Sequence, residues 1–198
     1  MSRFGIVNRG TGAGGANTNR NGKGFELKTN ITPFLTLNGY SSDSYRFQNR
    51  RHTYLMRDYT CCKIVFVSQG GFKNYIKHHY NREPIRLPDE AFIVEYPDGK
   101  FKVKILEKKA QNTEGSVELK LWTADYFQRE YSKTLGCPVE YAFCVNGFLK
   151  TKLESTIPKY RILGEMFKED SVTVFYGEES DYFQLLYKWI TSDVNQSS

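Results

Sequence analysis

Residues 88–109, PDEAFIVEYPDGKFKVKILEKK, decide the fold. Two runs rich in β-branched and aromatic residues, AFIVEY and KFKVKILEKK, flank Pro97-Asp98-Gly99. Pro fixes the φ needed at the first central turn position, and Asp suits the second. Gly takes the left-handed conformation that closes a three-residue loop. The stretch therefore reads as a β-hairpin, and the loop sets its register. Closure at 97–99 pairs Tyr96 with Lys100, and counting back along both strands sets Asp89 opposite Glu107. Directly opposed Cβ atoms lie about 4.5–5.5 Å apart. Lys109, two residues after Glu107, projects from the same face. Two carboxylates and one ammonium thus meet at the open end of one hairpin. Asp98, in the second Pro-Asp dipeptide, is at the turn tip and does not compete.

Facing carboxylates repel unless a divalent cation bridges them. A lysine beside them balances charge, polarises an attacking water or contacts a phosphate. These are the parts of a metal-dependent phosphodiesterase. The bland alternative is a surface ladder in which Lys109 pairs with Glu107 and Asp89 caps a turn.

Working outward, CKIVFVS (62–68), VEYAFCV (139–145) and VTVFY (172–176) read as strands. Helices are expected at 71–80, at 158–168 starting with Pro158, and at 180–191 with Asp181 near its start. A long amphipathic helix is expected over 116–135, with Ser116 as N-cap and Gly136 as its stop. Residues 24–37 read as a short helix that Pro33 interrupts. Residues 10–24, GTGAGGANTNRNGKG, read as irregular: a flexible arm, or a loop bringing backbone amides and Asn side chains to a phosphate backbone. They match neither a Walker loop nor a dinucleotide fingerprint. The run 41–60 is polar, basic and aromatic, and its plain reading is a solvated loop. Trp122 and Trp189 sit at core spacing. The expected fold class is α/β, a mixed central β-sheet flanked by helices, in a single domain spanning 1–198.

The 198 residues, 39% apolar and 25% charged, suit one globular domain with a sizeable core. No run approaches the roughly 18 apolar residues of a membrane span, and the N-terminus lacks a signal-peptide core, so a cytoplasmic protein is expected. Residues 1–60 carry nine Lys/Arg against three Asp/Glu, whereas 61–198 carry nineteen of each. The whole net charge of +6 therefore belongs to the N-terminal third. A basic region on a neutral body points to a polyanion, most often nucleic acid. Candidate contacts are Asn17, Asn19, Arg20 and Lys23 in the Gly/Asn-rich stretch, with Arg46, Arg50 and Arg51 in the aromatic run; arginine suits guanine edges and phosphates. Cys61, Cys62, Cys137 and Cys144 form no CxxC pair and read as reduced thiols rather than a zinc site. His78, His79 and Asn81 lack the ββα context of an HNH nuclease.

Pro88-Asp89 followed by Glu107-Lys108-Lys109 resembles the PD-(D/E)XK nuclease motif. The text around it, KILEKKAQNTEGSVELKLWTADYFQREY (104–131), is similar to a stretch of type II restriction endonucleases of that superfamily. There a strand ends in E-x-K-x-Q and a Gly-Ser-Val-x-x-Lys-Leu helix start follows. GTGAGGANTNRNGKGFE (10–26) resembles the Gly/Asn-rich opening of those enzymes. The resemblance covers 8–29 and 86–148, and elsewhere rests on the order of elements. It implies a restriction-endonuclease-like core, with 61–198 as catalytic core and 1–60 as a DNA-contacting region. It further implies that Asp89 and Glu107 ligate Mg²⁺, helped by a backbone carbonyl near Lys108, and that Lys109 activates the attacking water. Gln111 would position water or phosphate, and Glu26 would match the family's helix carboxylate, an outer metal contact. The implied activity is sequence-specific hydrolysis of double-stranded DNA by a homodimer, paired functionally with a DNA methyltransferase. No motif marks a recognition loop. The rivals are a structure-specific nuclease of the same fold, in repair or recombination, and a non-catalytic DNA-binding domain.

Overall fold

A computed structural model describes residues 16–113 and 116–194, with side chains described from Gly22 onward and that of Ser116 left aside. Its elements are α1 (Ala16–Lys28), α2 (Thr32–Leu37), β1 (Ser41–Phe47), β2 (Arg50–Asp58), β3 (Lys63–Ser68), α3 (Gln69–Tyr80), β4 (Glu90–Glu95), β5 (Phe101–Lys109), α4 (Ser116–Leu121), α5 (Ala124–Leu135), β6 (Val139–Val145), α6 (Gly147–Leu153), α7 (Pro158–Glu169), β7 (Thr173–Tyr176) and α8 (Tyr182–Ile190). All seven strands form one sheet in sequence order. The first five run antiparallel to their neighbours, and β5, β6 and β7 run parallel. The fold is α/β with a mixed open sheet flanked by helices. No described helix is long and apolar enough to cross a membrane.

The central strands, β3 to β6, are buried on both faces, as their nearly continuous apolar runs require. One core joins Val65, Val67, Ile93, Ile105 and Phe143 to Phe72 and Ile76 of α3, Leu121 of α4, Tyr131 and Leu135 of α5, and Leu163 of α7. The other joins Ile64, Phe66, Phe92 and Leu106 to Phe25 of α1, Leu35 of α2, and Leu186 and Ile190 of α8. Alternation along β5 therefore sends Glu107 toward the α3–α5 side and Lys104 and Lys108 toward the α1–α8 side.

The hairpin has the register that its turn dictates. Glu90 pairs with Leu106 and Glu95 with Phe101. Tyr96 donates its N–H to the Lys100 carbonyl at 2.9 Å, the Lys100 N–H reaches Asp98 Oδ1 at 3.0 Å, and Gly99 takes φ +80°. Strands at 63–68, 139–145 and 173–176 and helices at 69–80, 158–169 and 182–190 lie where the sequence places them, within two residues.

Three expectations fail, and one further element has no counterpart among them. The stretch 10–24 is not wholly irregular, because α1 begins at Ala16. Packing of Phe25 into the core overrides the weak propensity of Gly22 and Gly24; residues 10–15 lie outside the described set. The helix expected over 116–135 is two helices. The Thr123 hydroxyl donates to the Lys120 carbonyl at 2.7 Å and ends α4, a local side-chain bond competing with the helix. Gly136, at φ +63°, stops α5 as expected. The run 41–60 is a hairpin rather than a loop, its turn formed by Gln48 and Asn49, both at positive φ. Helix α6 was not anticipated. Residues 195–198 lie outside the described set, and Ser116, expected as an N-cap, is the first residue of α4.

Candidate active site at the open end of the hairpin

Asp89 immediately precedes β4, and Glu107 and Lys109 lie near the end of β5, where β5 outruns its antiparallel partner. The three meet. Lys109 Nζ is 2.6 Å from Glu107 Oε2 and 3.6 Å from Asp89 Oδ2. Asp89 Oδ2 also accepts the Lys108 backbone N–H at 2.7 Å, which fixes the loop carboxylate to the strand end. All three side chains are mostly buried, with between 15% and 21% of their surface exposed. Burial raises the Glu107 carboxyl above the ordinary carboxylate value, opposed by the Lys109 ammonium and reinforced by the Asp89 carboxylate beside it. The ladder alternative is thus half realised, since Lys109 does pair with Glu107. Yet a surface ladder would not sit buried with a second carboxylate against it.

Glu107 and Lys109 form part of the wall of a cleft of about 470 Å³, shared with Arg86, Lys120, Phe127 and Tyr131. The Tyr131 hydroxyl is buried there without a hydrogen-bond partner. On the other side of the sheet, Asp89 borders a cleft of about 420 Å³ with Lys23, Glu26, Asn30, Glu90 and Lys108. Glu26 of α1 therefore faces Asp89 and Glu90, across the sheet from the Glu107 cleft. Asp89 stands at the strand rim between the two.

Sequence reasoning missed the pair Glu90–Lys108, 2.6 Å apart and almost wholly buried. Lys108 Nζ also donates to the Thr29 carbonyl at the end of α1, 3.0 Å away. Burial raises the Glu90 carboxyl, opposed by Lys108 and reinforced by Asp89 and Glu26. The signal was available, since period-two alternation sends residues 90 and 108 to the face opposite 89 and 107.

Gln111 is spent elsewhere. Its Oε1 accepts the Glu118 N–H at 2.9 Å and its amide donates to the Thr113 carbonyl. Asn146 brackets its backbone on both sides, at 3.0 and 3.2 Å. The residue holds the β5–α4 connection to β6. Arg46, Arg50 and Arg51 are exposed on the β1–β2 hairpin, and Lys23 is exposed on α1. The side chains of Asn17, Asn19 and Arg20 lie outside the described set.

Among the described residues, no group of three or more His, Cys, Asp or Glu side chains is arranged to hold a metal. Two carboxylates, a backbone carbonyl and water are nevertheless the oxygen donor set that Mg²⁺ takes, since it keeps several waters and is often held by one or two carboxylates. No family model matches the chain, and no curated protein or solved structure matches it with significance.

Proposed function

We propose that this chain is a Mg²⁺-dependent endonuclease that hydrolyses phosphodiester bonds of double-stranded DNA at a short specific sequence, in the manner of a type II restriction enzyme with a restriction-endonuclease-like core. The observation that carries this reading is the buried meeting of Asp89, Glu107 and Lys109 at the rim of a sheet whose other end of sequence is strongly basic. Opposed, part-buried carboxylates are unfavourable in a purely structural role and suit a cation between them.

Asp89 and Glu107 would hold the metal, which supplies charge neutralisation at the phosphate and a lowered pKa for its water. Lys109 ties the two carboxylates together without it. With substrate bound, the same ammonium would contact a phosphate oxygen or the attacking water and orient that water in line with the leaving oxygen. The Lys108 N–H keeps the Asp89 carboxylate aimed. The basic N-terminal third would grip the backbone, making binding salt-dependent. A homodimer suits a two-fold site in DNA, one active site per strand, and a cognate methyltransferase and a cytoplasmic setting belong with this reading.

The test is a digest of unmethylated phage DNA by the purified protein, with Mg²⁺ or with EDTA. Discrete bands only with Mg²⁺ are expected. A smear would point to a nuclease without sequence choice, and shifted but intact DNA to a binding domain. Glu107→Ala and Lys109→Ala are each expected to lose cleavage by at least about a thousandfold while retaining DNA binding, as removal of charge-stabilising groups does elsewhere. Near wild-type cutting by either variant would move the site away from this hairpin.

A further inference from the structure

The β1–β2 hairpin is the part of the sheet that the carboxylate site leaves unexplained. We infer that it is a ribbon that reads base edges in the major groove of the same duplex that is cut at Asp89 and Glu107; the inference rests on the nuclease reading for the identity of that duplex.

Register places the hairpin tip at the site. Leu55 pairs with Phe66, Phe66 with Phe92 and Phe92 with Lys104, forming one row across four strands. Toward one rim, Asp89 and Glu107 lie three residues from that row, and Arg50 lies five residues from it in the same direction. Counted along its own strand, the tip therefore extends two residues further from that row than Glu107 does, toward the same rim. Laterally, β2 and β5 are separated by three strand spacings, about 14 Å. The major groove admits a two-stranded ribbon. Arg46 and Arg51 project from the face opposite Glu107, so the duplex would cross the rim, its backbone on the carboxylates and its groove against the tip.

The side chains there fit that partner. Arg46 and Arg51 are directly opposed and both exposed. Like charges facing each other across a strand pair are destabilising by themselves. Among the described residues no carboxylate is paired with Arg46 or Arg50, and Arg51 Nε donates to Ser44 Oγ at 3.0 Å with the Asp43 carboxylate within electrostatic reach. The turn presents Gln48 and Asn49, exposed. Arginine pairs bidentately with guanine, and Asn or Gln with adenine.

The ribbon is also held in place. Its other face stacks on α3: Tyr45 lies 4.7 Å from His78, and Tyr54 lies 5.2 Å from Tyr75. A pre-ordered arm loses little entropy when it docks.

The experiment uses the full chain with Arg46→Lys or Arg51→Lys, which keep the charge and lose the bidentate fork. Phage DNA is digested with Mg²⁺ and the fragment ends are sequenced. A base-reading arginine predicts a cutting rate at the wild-type site lower by about ten- to a hundredfold, with base choice relaxed at one position. Melting temperature and the salt slope of binding to a non-cognate duplex should be unchanged. Lysine variants that cut the same sequences at the wild-type rate would overturn the inference. Should the wild-type chain not cut at all, the nuclease reading fails separately. The ribbon is then judged by selection from a random duplex pool. Sequence enrichment by the wild-type chain that either lysine variant loses supports it, and absence of enrichment overturns it.

Discussion

Glu107 sits where burial and a neighbouring carboxylate both oppose its charge, with Lys109 as the compensating group. A carboxyl whose folded value lies above its ordinary one costs stability once the pH exceeds that ordinary value. Replacing it with an uncharged isostere should therefore relieve the metal-free protein. Glu107→Gln is expected to raise the melting temperature in EDTA by about 2–4 °C, the shift that about 1 kcal/mol gives in a chain of this size. Saturating Mg²⁺ should stabilise the wild-type protein by about 2.7 kcal/mol at a hundred times its Kd and leave Glu107→Gln nearly unmoved. Thermal melts with and without Mg²⁺ check both, and equal Mg²⁺ shifts in the two proteins would remove Glu107 from the metal site. This carboxylate pair was legible in the sequence because turn chemistry at 97–99 fixes register locally. The environment of Gln111 was not, because its partners Glu118 and Asn146 come from other elements.

Helix α1 shows how an element is decided outside its own residues. Its propensity is poor, and what holds its C-terminal end is contact: Thr29 is fully buried, its hydroxyl donates to the Phe25 carbonyl at 2.8 Å, and its carbonyl accepts from Lys108. Gly177, just past β7, lies under that end. A Cβ there would come within 2.6 to 2.8 Å of Thr29, Cys144 and Phe25. None of these can yield easily, since each is packed in the core. Gly177→Ala is expected to cost about 1–3 kcal/mol through overpacking, read as a lower urea midpoint at unchanged slope. An unaltered midpoint would mean that the α1 end is free to shift. The same dependence on distant contacts explains which elements the sequence hid. The strands at 41–58 alternate, with Tyr45, Phe47, His52, Tyr54 and Met56 on one face, but their other face is polar and their turn lacks glycine. The break at Thr123 turns on one hydroxyl within an otherwise continuous amphipathic pattern. Strands 63–68 and 139–145 were plain because both of their faces are buried, so the apolar run itself marks them.

Across the whole molecule, buried charges of opposite tendency shape the response to pH. Lys104, fully buried in the middle of β5, has its ammonium 2.6 Å from Asp193 and also donates to the Trp189 carbonyl and Ser192 hydroxyl, each at 2.7 Å. It pins the chain after α8 to the centre of the sheet. Burial pushes the Asp193 carboxyl up, but the hydrogen bonds from Lys102 and Lys104 outweigh it and hold the group below its ordinary value of 3.8. Glu95 is likewise held low: burial is outweighed by Lys63, Tyr80 and Tyr75. Depressed carboxyls give stability that is present above their unfolded values and lost as the pH falls through their folded ones. Glu90 and Glu107 act in reverse: raised above 4.5, they cost stability as the pH climbs past it. The metal-free protein should therefore melt highest in mild acid, near about pH 5, losing stability below about pH 4 and more gently toward neutrality. Glu107→Gln should flatten the neutral limb. Asp193→Asn should flatten the acid limb and lower the whole curve by about 1–3 kcal/mol, because the buried Lys104 ammonium keeps only the more distant Glu140 carboxylate, 3.5 Å away. Melts from pH 3 to 8 in EDTA would separate these contributions. A wild-type curve that rises steadily to pH 8 would mean that the Glu90 and Glu107 carboxyls are not strained by their burial, and the structural motive for a cation at the hairpin would go with them.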